Sequence, residues 1–288
     1  MNGIIILNKP SGMTSHDCVD KLRKLLKTKK VGHTGTLDPE TTGVLPLCIN
    51  KATKIVPYLI AEDKEYVCKV RIGYSTTTED FTGELINEKK VLEKSINNID
   101  EVLEKLLSID SQVPPMYSAV KINGKKLYEY AREGIEVDRK PRSIKVFSVE
   151  RLSDIVYKNN CAEFDFRIKG SKGFYVRTIC VTIGEMLGYP AHLAELHRTK
   201  SGKFDIKDSV TFEDIENDNF KIISIKDSLD YPEIEVDEYM YYRLLNGSVI
   251  KNTFDIKGTT MFCRNGEIIA LYIPHPTKEG MIKPLKVF

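Results

Sequence analysis

The sequence has no apolar run that approaches the roughly 18 residues of a membrane-spanning helix, so we expect no spanning segment. Its six cysteines are scattered along the chain and form no C-x-x-C pair, which disfavours a zinc site and a disulfide framework. The first residues, MNGIIILNKPSG, lack the basic segment of a signal peptide, and we interpret them as an edge of the fold. These absences predict a cytoplasmic protein with reduced thiols.

Common catalytic motifs are also missing. There is no G-x-x-x-x-G-K-[ST] phosphate loop, no G-x-G-x-x-G dinucleotide motif, no H-E-x-x-H zinc motif and no G-x-S-x-G nucleophile elbow. His16 and His33 have Asp17 and Asp20 as possible co-ligands, but these residues do not supply a complete local set of metal ligands. We therefore predict no metal site.

The composition that is present is typical of a globular protein, with 288 residues of which 41% are hydrophobic and 29% are charged. The net charge is only +2, yet the charges are segregated along the chain. Basic residues cluster at 21–30, 121–145 and 167–203, whereas 205–238 carries twelve acidic and three basic residues. Local positive patches on a nearly neutral chain favour a polyanionic partner such as nucleic acid, although solvated helix faces give the same pattern.

Hydrophobic periodicity and turn residues predict a mixed α+β chain with a small β-rich tail. The predicted helices run from Thr14 or Ser15 to about Lys30, over 97–108, within 124–142 up to Gly134, from Val176 to Gly188, and over 237–247. The predicted strands cover 3–8, 65–75, about 144–153, 161–169, and parts of 248–288, where Asn265-Gly266 signals a hairpin. We interpret 31–46 as a shaped loop, 76–84 as a polar loop, and the acidic stretch 212–230 as a boundary.

The loop at 31–46, VGHTGTLDPETTGVLP, contains one ionisable residue suited to attack a substrate, Asp38. A carboxylate can act as a nucleophile or a general base, and Pro39 restricts the Asp38 backbone to an extended conformation. The three glycines of the loop allow a ligand to approach its backbone closely. An Asp-Pro pair is also a common start of an ordinary turn, and taken alone these residues favour the turn.

The segment GHTGTLDPETTGVLPLCINKATK resembles the catalytic segment of the TruB family of pseudouridine synthases, bacterial enzymes that modify uridine 55 in the T loop of tRNA. Further segments resemble other motifs of the family, in the family's order. They are LNKPSGMTSHD at 7–17, KEYVCKVRIGYSTTTEDFTGE at 64–84, VPPMYSAVKINGKKLYEYAREG at 113–134, SKGFYVRTICVTIGEMLGYPAHLAELHRT at 171–199 and YRLLNGSVI at 242–250. Because the matches are ordered and the catalytic loop is highly specific, coincidence is remote.

The resemblance implies a pseudouridine synthase fold, with a mixed, largely antiparallel sheet flanked by helices and a small C-terminal β-rich PUA-like domain. It implies a catalytic domain at 1–229, with an RNA-contacting insertion at about 121–142, and an RNA-binding domain at 230–288. The implied reaction isomerises uridine to pseudouridine by base flipping, cleavage of the glycosidic bond and its re-formation at carbon 5. Such an isomerisation needs no cofactor, and the implied partner is the T arm of tRNA. Nothing in the sequence indicates an oligomer interface, so we expect a monomer.

Three residues match the family's catalytic positions. Asp38 in TLDP corresponds to the catalytic aspartate, and attack on the uracil ring, attack on the ribose anomeric carbon and abstraction of a 2′ proton all remain open. Tyr66 in KEYV matches the tyrosine that stacks on the flipped base. Arg177 in FYVRT matches the arginine that pairs with the aspartate and is expected to lower its pKa. Taken alone, Tyr66 also fits a buried strand tyrosine, and Arg177 a solvated helix start.

Four further residues are implied to bind the substrate. His33 in GHTG matches a histidine that packs into the T loop where the base leaves. Leu196 in ELHR matches the residue that lines the uracil pocket, although an ordinary core leucine fits equally well. Lys9, followed by Pro10, belongs to the first motif and is expected to support the loop and to lie near the nucleic acid. Tyr175, within GFYVRT, is the fourth residue that is implied to bind the substrate.

Two other functions compete with the enzyme. A non-catalytic RNA-binding or tRNA-folding protein on the same scaffold would use the same basic patches and β-rich tail. An enzyme acting on nucleotide phosphates could use HTGT as an anion loop, but the sequence lacks the lysine and acidic metal ligands of such sites.

Overall fold

A computed structural model describes all residues, 1–288. Its helices are α1 (Ser15–Leu25), α2 (Val56–Ile60), α3 (Ile99–Lys105), α4 (Leu127–Arg132), α5 (Val176–Leu187), α6 (Phe212–Glu216) and α7 (Glu238–Leu245). Its strands are β1 (Gly3–Lys9), β2 (Val31–His33), β3 (Thr42–Ile49), β4 (Lys64–Ile72), β5 (Tyr74–Thr76), β6 (Leu85–Glu88), β7 (Ser111–Gln112), β8 (Lys121–Ile122), β9 (Lys125–Lys126), β10 (Arg142–Ser143), β11 (Val146–Arg151), β12 (Val156–Lys158), β13 (Cys161–Gly170), β14 (Ala191–Ser201), β15 (Phe204–Asp205), β16 (Glu233–Glu235), β17 (Ile250–Lys251), β18 (Thr260–Arg264), β19 (Glu267–Pro274) and β20 (Met281–Val287). Short 3-10 turns lie at Asn50–Ile55, Leu106–Ser108 and Ile206–Asp208.

The largest sheet has the strand order β1-β3-β14-β4-β13-β11, with β2, β15 and β12 added beside β3, β14 and β13. Its pairings are antiparallel except for a short parallel contact between β14 and β3. Alternate residues of β4 and β13 are buried, so one face of the sheet forms a core with α3 and α5. The predicted mixed, largely antiparallel sheet with flanking helices is therefore confirmed.

The opposite face of this sheet is covered by charged side chains that pair across neighbouring strands. The cross-strand ion pairs are Lys69 with Glu195, Arg71 with Glu163, and Arg167 with Glu150. Because each cation is matched by an anion, this face is close to neutral and does not account for the basic clusters of the sequence.

Helix α5 follows its prediction closely, whereas α1 is shorter than predicted. Helix α5 starts at Val176 and ends at Gly188, whose φ of 76° allows the left-handed cap. Helix α1 is capped by Thr14, which accepts a hydrogen bond from the Asp17 amide. It ends at Leu25 and not at Lys30, because Lys27 adopts a φ of 50° that turns the chain out of the helix.

The interpretation of 31–46 as a loop is wrong at both ends. Residues 31–33 pair with β3 as β2, and Thr42–Ile49 forms an eight-residue strand buried between β1 and β14. The glycine and proline of this strand misled the prediction. Gly43 is required because its Cα faces Arg198 so closely that a Cβ would lie 2.2 Å from the Arg198 carbonyl oxygen. The true loop is 34–41, and it contains Asp38.

The strand predicted at 65–75 is divided in two. It breaks at Gly73, which has a φ of 133° and packs against Cys161, so that β5 leaves the large sheet and pairs with β6. The following loop, 76–84, is thereby directed back over the start of α5.

The C-terminal segment forms a separate five-stranded sheet in the order β16-β18-β19-β20-β17. Asn265 and Gly266, both with positive φ, close its central hairpin as predicted. This sheet shares a core with the large sheet, in which Met261 and Leu271 pack with Ile4 and Ile6. Ile223 also forms backbone hydrogen bonds with Ile4, so the acidic stretch packs against the large sheet. The division at residue 229 remains a prediction.

No helix is both long and apolar enough to cross a membrane.

Candidate active site

The loop 34–41 is held rigidly by residues of β1 and α1. The ammonium of Lys9 donates hydrogen bonds of 2.7–2.8 Å to the carbonyl oxygens of Pro10, Pro39 and Thr41. The Ser15 hydroxyl accepts a hydrogen bond of 2.8 Å from the Leu37 amide. Because the loop is fixed on both sides of residue 38, the Asp38 carboxylate has a defined position.

Lys9 is fully buried, and carbonyl oxygens occupy its three donors. Burial lowers the pKa of its ammonium. These three hydrogen bonds use the donors of the ammonium within the protein, so the expected place of Lys9 near the nucleic acid remains a prediction. Its expected support of the loop agrees with the structure.

Asp38 and Arg177 form an ion pair across the cleft, with 3.2 Å between Asp38 Oδ2 and Arg177 Nη2. Arg177 lies in the first turn of α5, and its side chain is only 6% exposed. Its guanidinium also donates to the carbonyl oxygens of Thr78 and Tyr117, at 3.0 and 2.7 Å. Three contacts thus fix the guanidinium, and the guanidinium in turn orients the carboxylate.

Burial raises the pKa of the Asp38 carboxyl, and the nearby Asp80 raises it further, whereas Arg177 lowers it. The direction differs from the expected net lowering, because the cost of desolvating the carboxylate exceeds the attraction of one guanidinium. Arg177 therefore limits the rise without reversing it.

Asp80 was missed by sequence reasoning. Its Oδ2 lies 3.9 Å from Arg177 Nη1, and its Oδ1 accepts hydrogen bonds from Thr78 and Thr82. The second carboxylate therefore holds the far side of the Arg177 guanidinium. The only signal in the sequence was an acidic pair, Glu79-Asp80, within a threonine-rich loop.

Tyr66 lies on β4 and is 9% exposed, and its ring makes an edge-to-face contact with Phe174, at 5.6 Å between ring centroids. Burial raises the pKa of its hydroxyl, and the neighbouring charge of Arg198 opposes the rise. Arg198 is itself fully buried and donates to the Val44 carbonyl oxygen at 2.7 Å. Sequence reasoning missed Arg198, which resembles a surface residue in the polar stretch HRTK.

A cleft of about 520 Å³ brings these groups together. Its walls include Asp38, Tyr66, Tyr175, Arg177 and Leu196. Asp38 is the one acidic residue of the walls. The walls also contain five basic residues, which are Lys64, Arg142, Lys172, Arg177 and Arg198. This excess of cations suits a phosphate-bearing ligand with a single carboxylate at its reacting centre.

His33 stands outside the set of residues that line this cleft. It ends β2, and its Nδ1 accepts a hydrogen bond of 3.4 Å from the Gly35 amide. Burial lowers the pKa of its imidazole, with Arg198 as a second cause, so that the neutral ring is favoured. The role of His33 in packing into the T loop remains a prediction.

A second cavity, of about 550 Å³, lies on the other side of Asp38 and shares Asp38, Thr41 and Leu196 with the cleft. Its walls contain one lysine, Lys69, and five acidic residues, which are Asp38, Glu40, Asp80, Asp165 and Glu195. This charge disfavours a phosphate, so the cleft with Tyr66 is the better candidate for the reacting nucleotide.

The comparisons with known proteins identify the family of the chain. The description "TruB family pseudouridylate synthase (N terminal domain)" matches residues 23–176, and "tRNA pseudouridylate synthase B C-terminal domain" matches 177–230. The protein named tRNA pseudouridine synthase B of Bacillus velezensis is 48% identical, over 100% of this chain and 97% of that protein. Its namesake in Bacillus subtilis is 45% identical, with the same coverage of both chains.

Solved structures share the fold. A Cbf5-Nop10-Gar1 complex contains a chain that matches with a TM-score of 0.71 and 26% identity, over 99% of this chain and 84% of that one. An H/ACA RNP bound to a substrate RNA containing 2′-deoxyuridine gives a TM-score of 0.70 and 23% identity, with the same coverage. Fold and site thus define a pseudouridine synthase. Within this class, the chain belongs to the TruB family of pseudouridylate synthases.

Proposed function

We propose that the protein isomerises uridine to pseudouridine in tRNA, at position 55 of the T loop. In this reaction the bond between N1 and C1′ breaks, the base turns, and C5 bonds to C1′ while the C5 proton leaves and N1 gains a proton. The observation that carries the proposal is the Asp38–Arg177 ion pair beside Tyr66 in a cleft with basic walls. Names of full-length relatives support tRNA as the substrate.

The side chains divide the work by their chemistry. Asp38 is the nucleophile or base, because it is the one carboxylate that both reaches the cleft and is oriented by a cation. Tyr66 offers a ring for stacking on the flipped base, which contributes roughly 1–3 kcal/mol and offsets part of the cost of unstacking. Leu196 supplies an apolar wall of the pocket, and Tyr175 supplies a second aromatic side chain.

RNA binding is assigned to the basic surface around the cleft. Arg142 and Lys172 are exposed at its walls, and Lys121, Lys125 and Lys126 lie on the predicted insertion at 121–142. Loop RNA fits such a site, because its unstacked bases can enter a pocket while its phosphates meet lysine and arginine. The β-rich segment 230–288 is proposed to extend this surface as a PUA-like domain, and the protein is proposed to act as a monomer in the cytoplasm.

The test is release of tritium from carbon 5 of uridine in an unmodified tRNA transcript, compared between the wild type and Asp38→Asn. The variant keeps the size of the side chain and its place beside Arg177 but loses the charge, so we expect no release with tRNA affinity largely retained. Release by the wild type, mapped to position 55, would support the proposal. Tight binding without release by the wild type would favour the non-catalytic RNA-binding function.

A further inference from the structure

Phe147 is an aromatic residue that the fold places on the surface at an edge of the large sheet. It belongs to β11, the last strand of that sheet, and its side chain is 42% exposed. The register of β11 against β13 shifts between Val146 and Ser148, so Phe147 is the extra residue of a β-bulge. Bulges re-aim a side chain at a sheet edge, and here the bulge directs a phenyl ring towards solvent.

Two lysines flank this ring. The ammonium nitrogens of Lys145 and Lys169 lie 5.7 and 5.8 Å from the ring centroid. The nearest acid to this pair is Asp63, 3.9 Å from the Lys169 ammonium, and Lys169 is still 45% exposed. An exposed ring with two cations beside it has the composition of a site that stacks a nucleobase and neutralises its phosphates.

The ring is continuous with the wall of the active-site cleft. The backbone of Lys145 exchanges two hydrogen bonds with Ser171, one of them to the serine hydroxyl, both at 2.8 Å. Ser171 and Ser143 line the cleft. Four residues of extended chain span at most about 14 Å, so Phe147 lies within that distance of Ser143. A stem-loop with one base in the cleft therefore has neighbouring nucleotides within reach of the ring.

We propose that Phe147 is a stacking platform for a second, unpaired nucleobase of the tRNA substrate, and that Lys145 and Lys169 bind the phosphates beside it. This inference rests on the proposed function, because it takes tRNA as the ligand of the cleft. The platform adds a contact outside the reacting nucleotide and so determines affinity and orientation, while the chemistry stays with Asp38.

The sequence contains no tryptophan, which permits a direct test. Phe147→Trp in the Asp38→Asn background introduces a single fluorophore at the platform, and a stacked base quenches indole fluorescence. We expect quenching that saturates with unmodified tRNA at the same concentration as binding in a filter assay on the same samples. The matched control is Val156→Trp, which is on β12 at the same sheet edge and replaces a side chain that is 60% exposed. Its fluorescence is expected to change little.

A second variant measures the contribution to affinity. Phe147→Ala is expected to weaken tRNA binding about tenfold, since one stacked base contributes roughly 1–3 kcal/mol, and Phe147→Tyr is expected to restore it. Binding with no quenching of Phe147→Trp and an unchanged Phe147→Ala affinity would overturn the platform while leaving the proposed function intact. Failure of the wild type to bind or modify tRNA would instead overturn the proposed function.

Discussion

The hydroxyl of Tyr66 allows ring stacking to be separated from proton transfer. Tyr66→Phe keeps the ring against Phe174 but removes the group beside Arg198. We expect tRNA affinity within about threefold of the wild type and single-turnover rates lower by roughly 10²-fold, the usual effect of losing a general acid or base. Filter binding and tritium release measure the two quantities. An unchanged rate would remove the hydroxyl from the mechanism.

The charge of Arg177 predicts a change in pH dependence. Burial raises the pKa of Asp38 and Arg177 opposes the rise, so the carboxylate is present above that pKa and is lost as the pH falls through it. Arg177→Met removes the opposing charge, and we expect the acid limb of the rate profile to move to higher pH.

Arg177→Lys is the control for this prediction, because it keeps the positive charge while it loses the second donor of the guanidinium. Its acid limb is expected to move less than that of Arg177→Met. Thermal unfolding of both variants checks that they fold, which is necessary because the side chain is buried. An acid limb that is the same in the wild type and both variants would contradict the proposed coupling of Arg177 to Asp38.

At the scale of elements, the pairing of β3 with β14 positions the catalytic loop, which directly precedes β3. Gly43 has a φ of 104°, and a Cβ there would lie 2.2 Å from the Arg198 carbonyl oxygen. We expect Gly43→Ala to destabilise the fold by about 2–4 kcal/mol, from backbone strain and overpacking. Calorimetry should show this as a fall in Tm of several degrees.

Gly258→Ala provides the matched control, because Gly258 has no positive φ and a Cβ there meets nothing within 4 Å. Its Tm is expected to stay within about 2 °C of the wild type, since surface substitutions rarely change stability by more than about 0.5 kcal/mol. Equal Tm values for both variants would show that β3 and β14 can separate without cost.

The sequence predicted elements well where the signal was local. The alternation in β4, the end of α5 at Gly188 and the Asn265-Gly266 hairpin each depend on residues within one turn or strand. Strand β3 was missed because its glycine is required by Arg198, a residue 155 positions further on, and no local pattern reports such a contact. The pairing of Asp38 with Arg177 was likewise accessible only through the resemblance to a family.

At the scale of the whole molecule, the distribution of charge differs between surfaces in a way that the net charge of +2 conceals. The exposed face of the large sheet is covered by matched ion pairs, and the second cavity is acidic. Unmatched cations remain at the cleft wall and beside it, on Arg142, Lys172 and Lys145. This surface is therefore where the phosphates of a bound tRNA are expected.

The affinity for tRNA should consequently depend steeply on salt. With at least four phosphate contacts, from Arg142, Lys145, Lys169 and Lys172, release of counterions predicts a log–log slope of about −3 or steeper. Filter binding of Asp38→Asn between 50 and 200 mM salt, concentrations over which such slopes are well defined, measures it. Lys172→Ala should reduce the slope by about one, whereas Lys158→Ala, on β12, should leave it unchanged. A slope near zero would mean that binding is not electrostatic and that the basic cleft is not the RNA surface.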